Sequence, residues 1–208
     1  MYLSKLILDS RHPQARRDLA DAYEMHRTLA RAFAPNDDAP PERFLWRLEY
    51  DSRPDADERA TVLVHSAIPG NWYALRDISS YAPGLHGNKF VDLDKLLQAE
   101  RRFHFRLTAN PTVTRAGKRY GLVREDEQLI WLARQGERNG FRALEVTRSA
   151  SAHMSVKQGK TGRRITVQTA LFDGVLQITD RNALRQALLG GIGHAKVLGL
   201  GMLSLAPG

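Results

Sequence analysis

The second half of the sequence reads strand, helix, strand, strand, helix, strand, and the first half begins the same way before its pattern blurs. The 208 residues give room for two compact units of roughly 100 residues each. Hydrophobic residues make up 42% of the chain, enough for two cores. These three observations predict an α+β protein of two tandem ferredoxin-like (RRM-like) modules. The modules are expected at residues 1–95 and 96–208, with a basic β-hairpin in the second.

The chain opens on "MYLSKLILDS", whose stretch Tyr2 to Leu8 predicts a strand and is too short and polar for a signal peptide. After "SRHP", the stretch "QARRDLADAYEMHRTLARAF" predicts helix with a break near Asp21. Asp21 suits an N-cap, and Glu24 three residues on fits a capping box. At 100° per residue, Met25, Leu29, Ala32 and Phe33 share a core face. Tyr23, His26, Arg27 and Ala30 gather on the opposite arc with Arg31 nearby, and His26 sits at the edge between the faces. "FLWRLEY" alternates, with Phe44, Trp46, Leu48 and Tyr50 on one side and Leu45, Arg47 and Glu49 on the other. "TVLVHSA" predicts its partner strand, and "SRPDADER" a polar hairpin loop between them. Residues 69–95, punctuated by Pro69-Gly70 and Pro83-Gly84, define no clear element.

A new strand, "RRFHFRLTANP", begins at about Arg102. "REDEQLIWLARQ" predicts a helix with Leu129, Ile130, Leu132 and Ala133 feeding a core stripe. "FRALEVTRS" predicts a strand. "SAHMSVKQ" and "RRITVQTALF" flank "GKTG", a basic hairpin signal. Asp173-Gly174 predicts a turn into "VLQIT". Asp180 caps the helix "RNALRQALLG", which Gly190 or Gly191 ends. The closing strand "MLSLAP" is expected beside the first strand of its module.

The net charge is +8 and the pI about 10, a balance that favours polyanionic partners. No Asp or Glu falls between Val146 and Phe172, while Arg148, Lys157, Lys160, Arg163 and Arg164 do. That stretch reads either as a solvated face or as a polyanion site. There are no cysteines, which excludes disulfides, a Cys nucleophile and thiolate metal sites. No run approaches the ~20 apolar residues of a membrane span. A cytoplasmic location with no membrane contact is expected.

Five glycines crowd the stretch Gly190 to Gly201 in "GIGHAKVLGLGMLSLAP". The third glycine of a dinucleotide fingerprint is missing, and too little chain follows for a βαβ unit. Gly159-Lys160-Thr161 imitates the end of a P-loop, but Met154 stands where its first glycine belongs. The glycines Gly191, Gly193, Gly199 and Gly201 therefore serve either a tight turn into the last strand or close approach to another backbone. Lys196 and His194 add charge there. Among seven histidines, no H-E-x-x-H motif or carboxylate–His cluster marks a metal site. Tyr23, His26, Arg27 and Arg31 read either as an ordinary helix surface or as an acid–base group beside a phosphate clamp.

"MYLSKLIL", "YEMHRTLARAF", "FLWRLE", "FRLTANPT", "ITVQTALFDGVLQITD" and "GIGHAKVLGLGMLSLAP", in this order, resemble the CasE family over nearly the whole chain. That family comprises the CRISPR precursor-RNA endoribonucleases of the type I-E Cascade complex. The resemblance implies tandem ferredoxin-like modules that bind the stem-loop of the CRISPR repeat and cut at its 3′ base without metal or cofactor. It implies retention on the mature guide RNA beside other Cascade subunits. His26 in "YEMHR" matches the family's catalytic histidine, and Tyr23 its accompanying tyrosine. Arg27 matches a basic residue beside the scissile phosphate, and Arg31 stands where a lysine is common. Lys157, Lys160, Arg163 and Arg164 fall where relatives insert a basic hairpin into the RNA groove. The glycine loop, with Lys196, matches a C-terminal signature that packs close to RNA.

The chemistry implied is attack of the substrate's own 2′-hydroxyl on the adjacent phosphate, which needs a base, an acid and positive charge. The alternative is a noncatalytic RNA-binding or structural subunit of a ribonucleoprotein. The RRM signature for reading single strands on the sheet is absent.

Overall fold

A computed structural model describes residues 1–36, 39–49, 59–76, 78, 80–98, 102–158 and 163–207. Strand β1 (Tyr2–Asp9) leads into helices α1 (Pro13–Ala20) and α2 (Ala22–Ala30). Strands β2 (Phe44–Glu49), β3 (Arg59–Ser66) and β4 (Gly84–Phe90) follow, then a single turn α3 (Leu93–Leu96). Strand β5 (Arg102–Ala109) precedes a short hairpin, β6 (Thr112–Arg115) and β7 (Lys118–Gly121). Helix α4 (Glu125–Arg138), strands β8 (Phe141–Gln158) and β9 (Arg163–Ile178), helix α5 (Arg181–Gly190) and strand β10 (Leu203–Pro207) complete the chain.

The strands form two four-stranded antiparallel sheets in the orders β2-β3-β1-β4 and β10-β5-β9-β8. As expected, the closing strand pairs with β5, Leu203 opposite Leu107. Helices α1 and α2 cover the first sheet around Leu6, Leu8, Met25, Leu29, Phe33 and Val64. Helices α4 and α5 cover the second around Phe103, Phe105, Trp131, Phe172 and Leu184. Each such side chain taken from water contributes roughly 1.5–3 kcal/mol.

The break at Asp21 is real. Its backbone is extended, its carboxylate accepts from the Tyr23 N–H, and two helices meet there. Glu24 completes no capping box. Its carboxylate is drawn to Arg27 at 2.5 Å and Arg17 at 3.3 Å, while the Asp21 N–H closes α1 on the Arg17 carbonyl. The core face of α2 holds as read: Met25, Leu29, Ala32 and Phe33 are buried.

Strand β2 is buried on both faces, which its alternation did not predict. Arg47, 3% exposed, pairs with Glu49 and donates to the carbonyls of Arg106 (3.2 Å) and Met202 (3.1 Å) in the other sheet. Arg106 returns the link to Glu49 at 2.9 Å and holds Asp173 at 2.6 Å. This partly buried polar network, with Arg47 at its core, ties the two sheets across β2 and β5.

Two readings need correction. The core stripe of α4 is Gln128, Trp131, Leu132 and Gly136, whereas Ile130 and Ala133 face solvent. Gln128 enters because its amide donates to the Leu122 carbonyl and Ser151 Oγ. Asp173-Gly174 is no turn but the middle of β9. A bulge in β8 between Ala143 and Glu145 brings the Glu145 carbonyl into the space that a Gly174 Cβ would need, so only glycine fits. Between β3 and β4, in the stretch that defined no clear element, the described residues hold a 3-10 turn, Trp72–Leu75. The "SRPDADER" loop up to residue 58, Tyr50 and the "GKTG" turn lie outside the described residues.

Candidate functional site

Helix α5 ends at Gly191, whose φ of 74° only glycine adopts freely. The following loop folds back on the protein. A Cβ on Gly191 would stand 2.8 Å from Leu45, one on Gly199 2.9 Å from the Trp46 ring, and one on Gly201 2.5 Å from the Ile192 carbonyl. The glycines thus let the loop lie directly on β2, and Gly193 lies against Trp131 in the same way. A 3-10 turn, Lys196–Leu198, follows. Leu198 and Leu200 pack with Val156 and Val167 of the long hairpin β8–β9, with Ala22 of α2 beside them.

This folding brings residues from distant parts of the chain to one cleft of about 290 Å³, lined by His26, Glu42, Arg43, Phe44, Lys196 and Val197 among others. His26 sits half-buried, its ring flat on Phe44. Its Nδ1 is buried without a hydrogen-bond partner among the described residues. Burial holds the imidazole below the ordinary histidine range, so it is neutral at pH 7. Lys196 donates to the Gly193 carbonyl at 2.5 Å. Its ammonium is held below the ordinary lysine range, first by burial and then by Arg43. Arg43 lies at the C-terminal end of α5, close to Gly190, where the helix dipole favours a cation.

The structure therefore joins His26 and Lys196, which the sequence had placed at opposite ends. It does not add Tyr23 to that cleft: its ring is exposed one turn earlier on α2. Arg27 is exposed and paired with Glu24. Arg31 is exposed at the C-cap of α2. The backbones of Lys157 and Arg163 lie at the outer end of β8–β9, Lys157 opposite Arg164, whose side chain is exposed. Lys160 lies outside the described residues. Among those residues no His, Asp or Glu cluster has the makings of a metal site. No described helix is long and apolar enough to cross a membrane. Arg43 was missed; its only local signal is its position just before the alternating strand.

Two antiparallel sheets with a histidine and two cations on a cleft at their seam describe a basic α+β protein with the means to move a proton beside an anion. The CRISPR-associated protein family matches residues 1–207, and the chain belongs to it. The CRISPR-associated endoribonuclease Cse3 of Thermus thermophilus is 37% identical over the whole of both chains. The CRISPR system Cascade subunit CasE of Escherichia coli is 33% identical, again over the whole of both. A solved structure of the CRISPR endoribonuclease Cse3 bound to a 19-nucleotide RNA superposes with a TM-score of 0.87 at 37% identity, covering both chains fully.

Proposed function

We propose that this protein is a metal-independent endoribonuclease that binds the CRISPR repeat stem-loop and cuts precursor CRISPR RNA at the 3′ base of the stem. It then stays on the mature guide RNA as a subunit of Cascade. The observation that carries the reading is the cleft in which the neutral imidazole of His26 meets Arg43 and Lys196. The relatives named for endoribonuclease and Cascade activity supply the substrate class. We read the two sheets as ferredoxin-like modules, 1–95 and 96–208, with strands in the order 4-1-3-2 in each.

The reaction asks for a base to take the 2′-hydroxyl proton, positive charge on the phosphate, and a donor for the departing 5′-oxygen. A neutral His26 suits the base. The 2′-oxygen gives its proton to His26 and bonds to phosphorus, the bond from phosphorus to the 5′-oxygen breaks, and that oxygen takes a proton from water. The products are a 2′,3′-cyclic phosphate and a 5′-hydroxyl. Lys196 and Arg43 neutralise the phosphate. Tyr23 is the accompanying group on the same helix surface. Arg27 joins once phosphate displaces Glu24, and Arg31 adds charge a turn further on. The outer end of β8–β9, with Lys157, Lys160, Arg163 and Arg164 in its sequence, grips the stem. Gly191, Gly193, Gly199 and Gly201 hold the loop so that Lys196 faces the cleft.

Incubation of the chain with repeat RNA in EDTA tests this. The expected products carry a 5′-hydroxyl and a cyclic phosphate. An RNA with 2′-deoxyribose before the cut is expected to bind and stay intact. Cleavage that needs an added divalent cation, or leaves a 5′-phosphate, overturns the reading.

A further inference from the structure

The short hairpin β6–β7 serves no core. Residues 114–121 are all exposed, and at the turn of Ala116 (φ 47°) and Gly117 (φ 74°) a Cβ on Gly117 would meet nothing within 4 Å. Its charges are arranged against its own stability. Arg115 stands directly opposite Lys118, a like-charge cross-strand pair, and such pairs destabilise a hairpin. Arg119 lies one position further along. No Asp or Glu occurs between Asn110 and Arg124, and none of the three cations is ion-paired among the described residues. Tyr120 beside them is half exposed. A solvent-facing hairpin that keeps three unneutralised cations and an aromatic ring breaks the local rule for sheet pairing, and its return lies elsewhere.

Its position says where. The hairpin is anchored at Gly121, where a Cβ would stand 2.7 Å from Gln168 of the long hairpin. Its root, Asn110, lies beside Gly193 of the glycine loop. Arg119 and Lys196 both face His194, whose imidazole is held below its ordinary range by burial first and then by those two cations. Lys196 in turn lines the His26 cleft. Beyond Glu42, the one carboxylate among the residues lining the cleft, positive charge thus runs from Lys196 past His194 onto the short hairpin.

Resting on the RNA-binding reading above, we propose that the short hairpin Thr112–Gly121 is a second RNA-binding element, which holds the unpaired strand that leaves the cleft. Arg115, Lys118 and Arg119 take its phosphates and Tyr120 stacks under one of its bases. A single strand fits better than the stem, because cations interleaved with an exposed aromatic ring suit unstacked bases. The longer hairpin, whose sequence carries Lys157, Lys160, Arg163 and Arg164, is the element proposed above for the duplex.

The test uses the full chain and three repeat RNAs made uncleavable by 2′-deoxyribose at the cut. One ends at the base of the stem; the others carry a single-stranded tail on the 5′ or the 3′ side. The wild type is expected to bind at least one tailed RNA about tenfold more tightly than the tailless one. Replacing Arg115, Lys118 and Arg119 together by Ala removes that gain while leaving tailless affinity within about twofold. It also flattens the salt dependence on the tailed RNA by about 2 in log–log slope, at roughly 0.7 per single-strand phosphate. Tyr120→Ala removes part of the gain and leaves the slope. The triple Gln variant repeats the measurement on a polar surface should the Ala variant fold poorly. Equal losses on all three RNAs, or no loss on any, overturn the proposal. A wild type that binds none of them overturns the RNA-binding reading itself.

Discussion

His26 and Phe44 stack face to face, with ring centroids 4.8 Å apart and planes 16° from parallel. Phe44 stacks in turn on Phe33 at 4.7 Å, and Phe33 meets Trp72 edge-on. The imidazole is therefore fixed by a column of rings rooted in the first core. His26→Ala is expected to slow single-turnover cleavage by about 10²–10⁴-fold, with RNA affinity nearly unchanged. Phe44→Leu keeps the imidazole but loosens and hydrates it, so Phe44 acts as a positioning residue. Its rate falls less, and the acidic limb of its pH–rate profile moves up toward the ordinary histidine value. A well-folded His26→Ala protein that cuts at the wild-type rate refutes the assignment.

The pH dependence follows from burial. His26 is held below 6.5 in the folded protein, and a base works only when unprotonated. The acidic limb of the single-turnover profile is therefore expected to have its midpoint below 6.5. A midpoint above 6.5 contradicts His26 as the buried base.

The long hairpin carries a second expectation. With no acid from Val146 to Phe172, its outer end is expected to meet RNA phosphates without competition from its own carboxylates. Replacing Lys157, Lys160, Arg163 and Arg164 by Ala is expected to weaken binding to the tailless stem-loop. Every phosphate that is no longer neutralised flattens the log–log salt slope by about 0.9. Filter binding at several salt concentrations reads both, and an unchanged slope rules out phosphate binding by these four side chains.

What the sequence revealed was local. The Asp21 break, the buried face of α2, the Asp180 cap and the Gly191 stop are each written in two or three neighbouring residues. What it hid was contact at a distance. Strand β2 alternates like a half-buried strand, yet Leu45 and Arg47 are covered by the other half of the chain. Asp173-Gly174 carries a strong turn signal, yet Arg106 and the β8 bulge use it inside a sheet. The helix pattern put His26 at the edge of its two faces, and only the family resemblance implied a role for it; Arg43 was not legible, because only the glycine loop folding onto Leu45 and Trp46 brings Lys196 across to it. The short hairpin passed unnoticed because neither of its strands has a buried face.

Two glycines with similar backbones separate strain from crowding. Gly117 (φ 74°) and Gly201 (φ 84°) both sit where other residues are strained, but only Gly201 is enclosed. Gly117→Ala is expected to cost about 1 kcal/mol. Gly201→Ala must also push its Cβ off the Ile192 carbonyl, 2.5 Å away, in a segment that exchanges a backbone hydrogen bond with Ile192. Its cost is expected to exceed that of Gly117→Ala by about 1–3 kcal/mol, the range for overpacked sites. Urea unfolding of both variants decides; equal costs show that the loop yields.

His65 makes the fold itself sensitive to acid. It sits on β3 between Leu3 and Leu45, 5% exposed, with Nδ1 unpartnered among the described residues. Its pKa is pushed down to about 4, by burial first and then by the positive charges of Arg47 and the amino terminus. In the unfolded chain the value returns to 6.5. Between those values the unfolded chain binds the proton and the folded one resists it, so stability falls as the pH drops through that window. The loss from this one group between pH 7 and pH 5 is about 2 kcal/mol. Below about pH 4 both states carry the proton and this group adds no further slope. His65→Leu removes the proton site and keeps an apolar side chain in the same space. The variant's stability, measured by urea unfolding, is therefore expected to fall by about 2 kcal/mol less than that of the wild type between pH 7 and pH 5. Parallel losses in the two proteins place the acid sensitivity elsewhere.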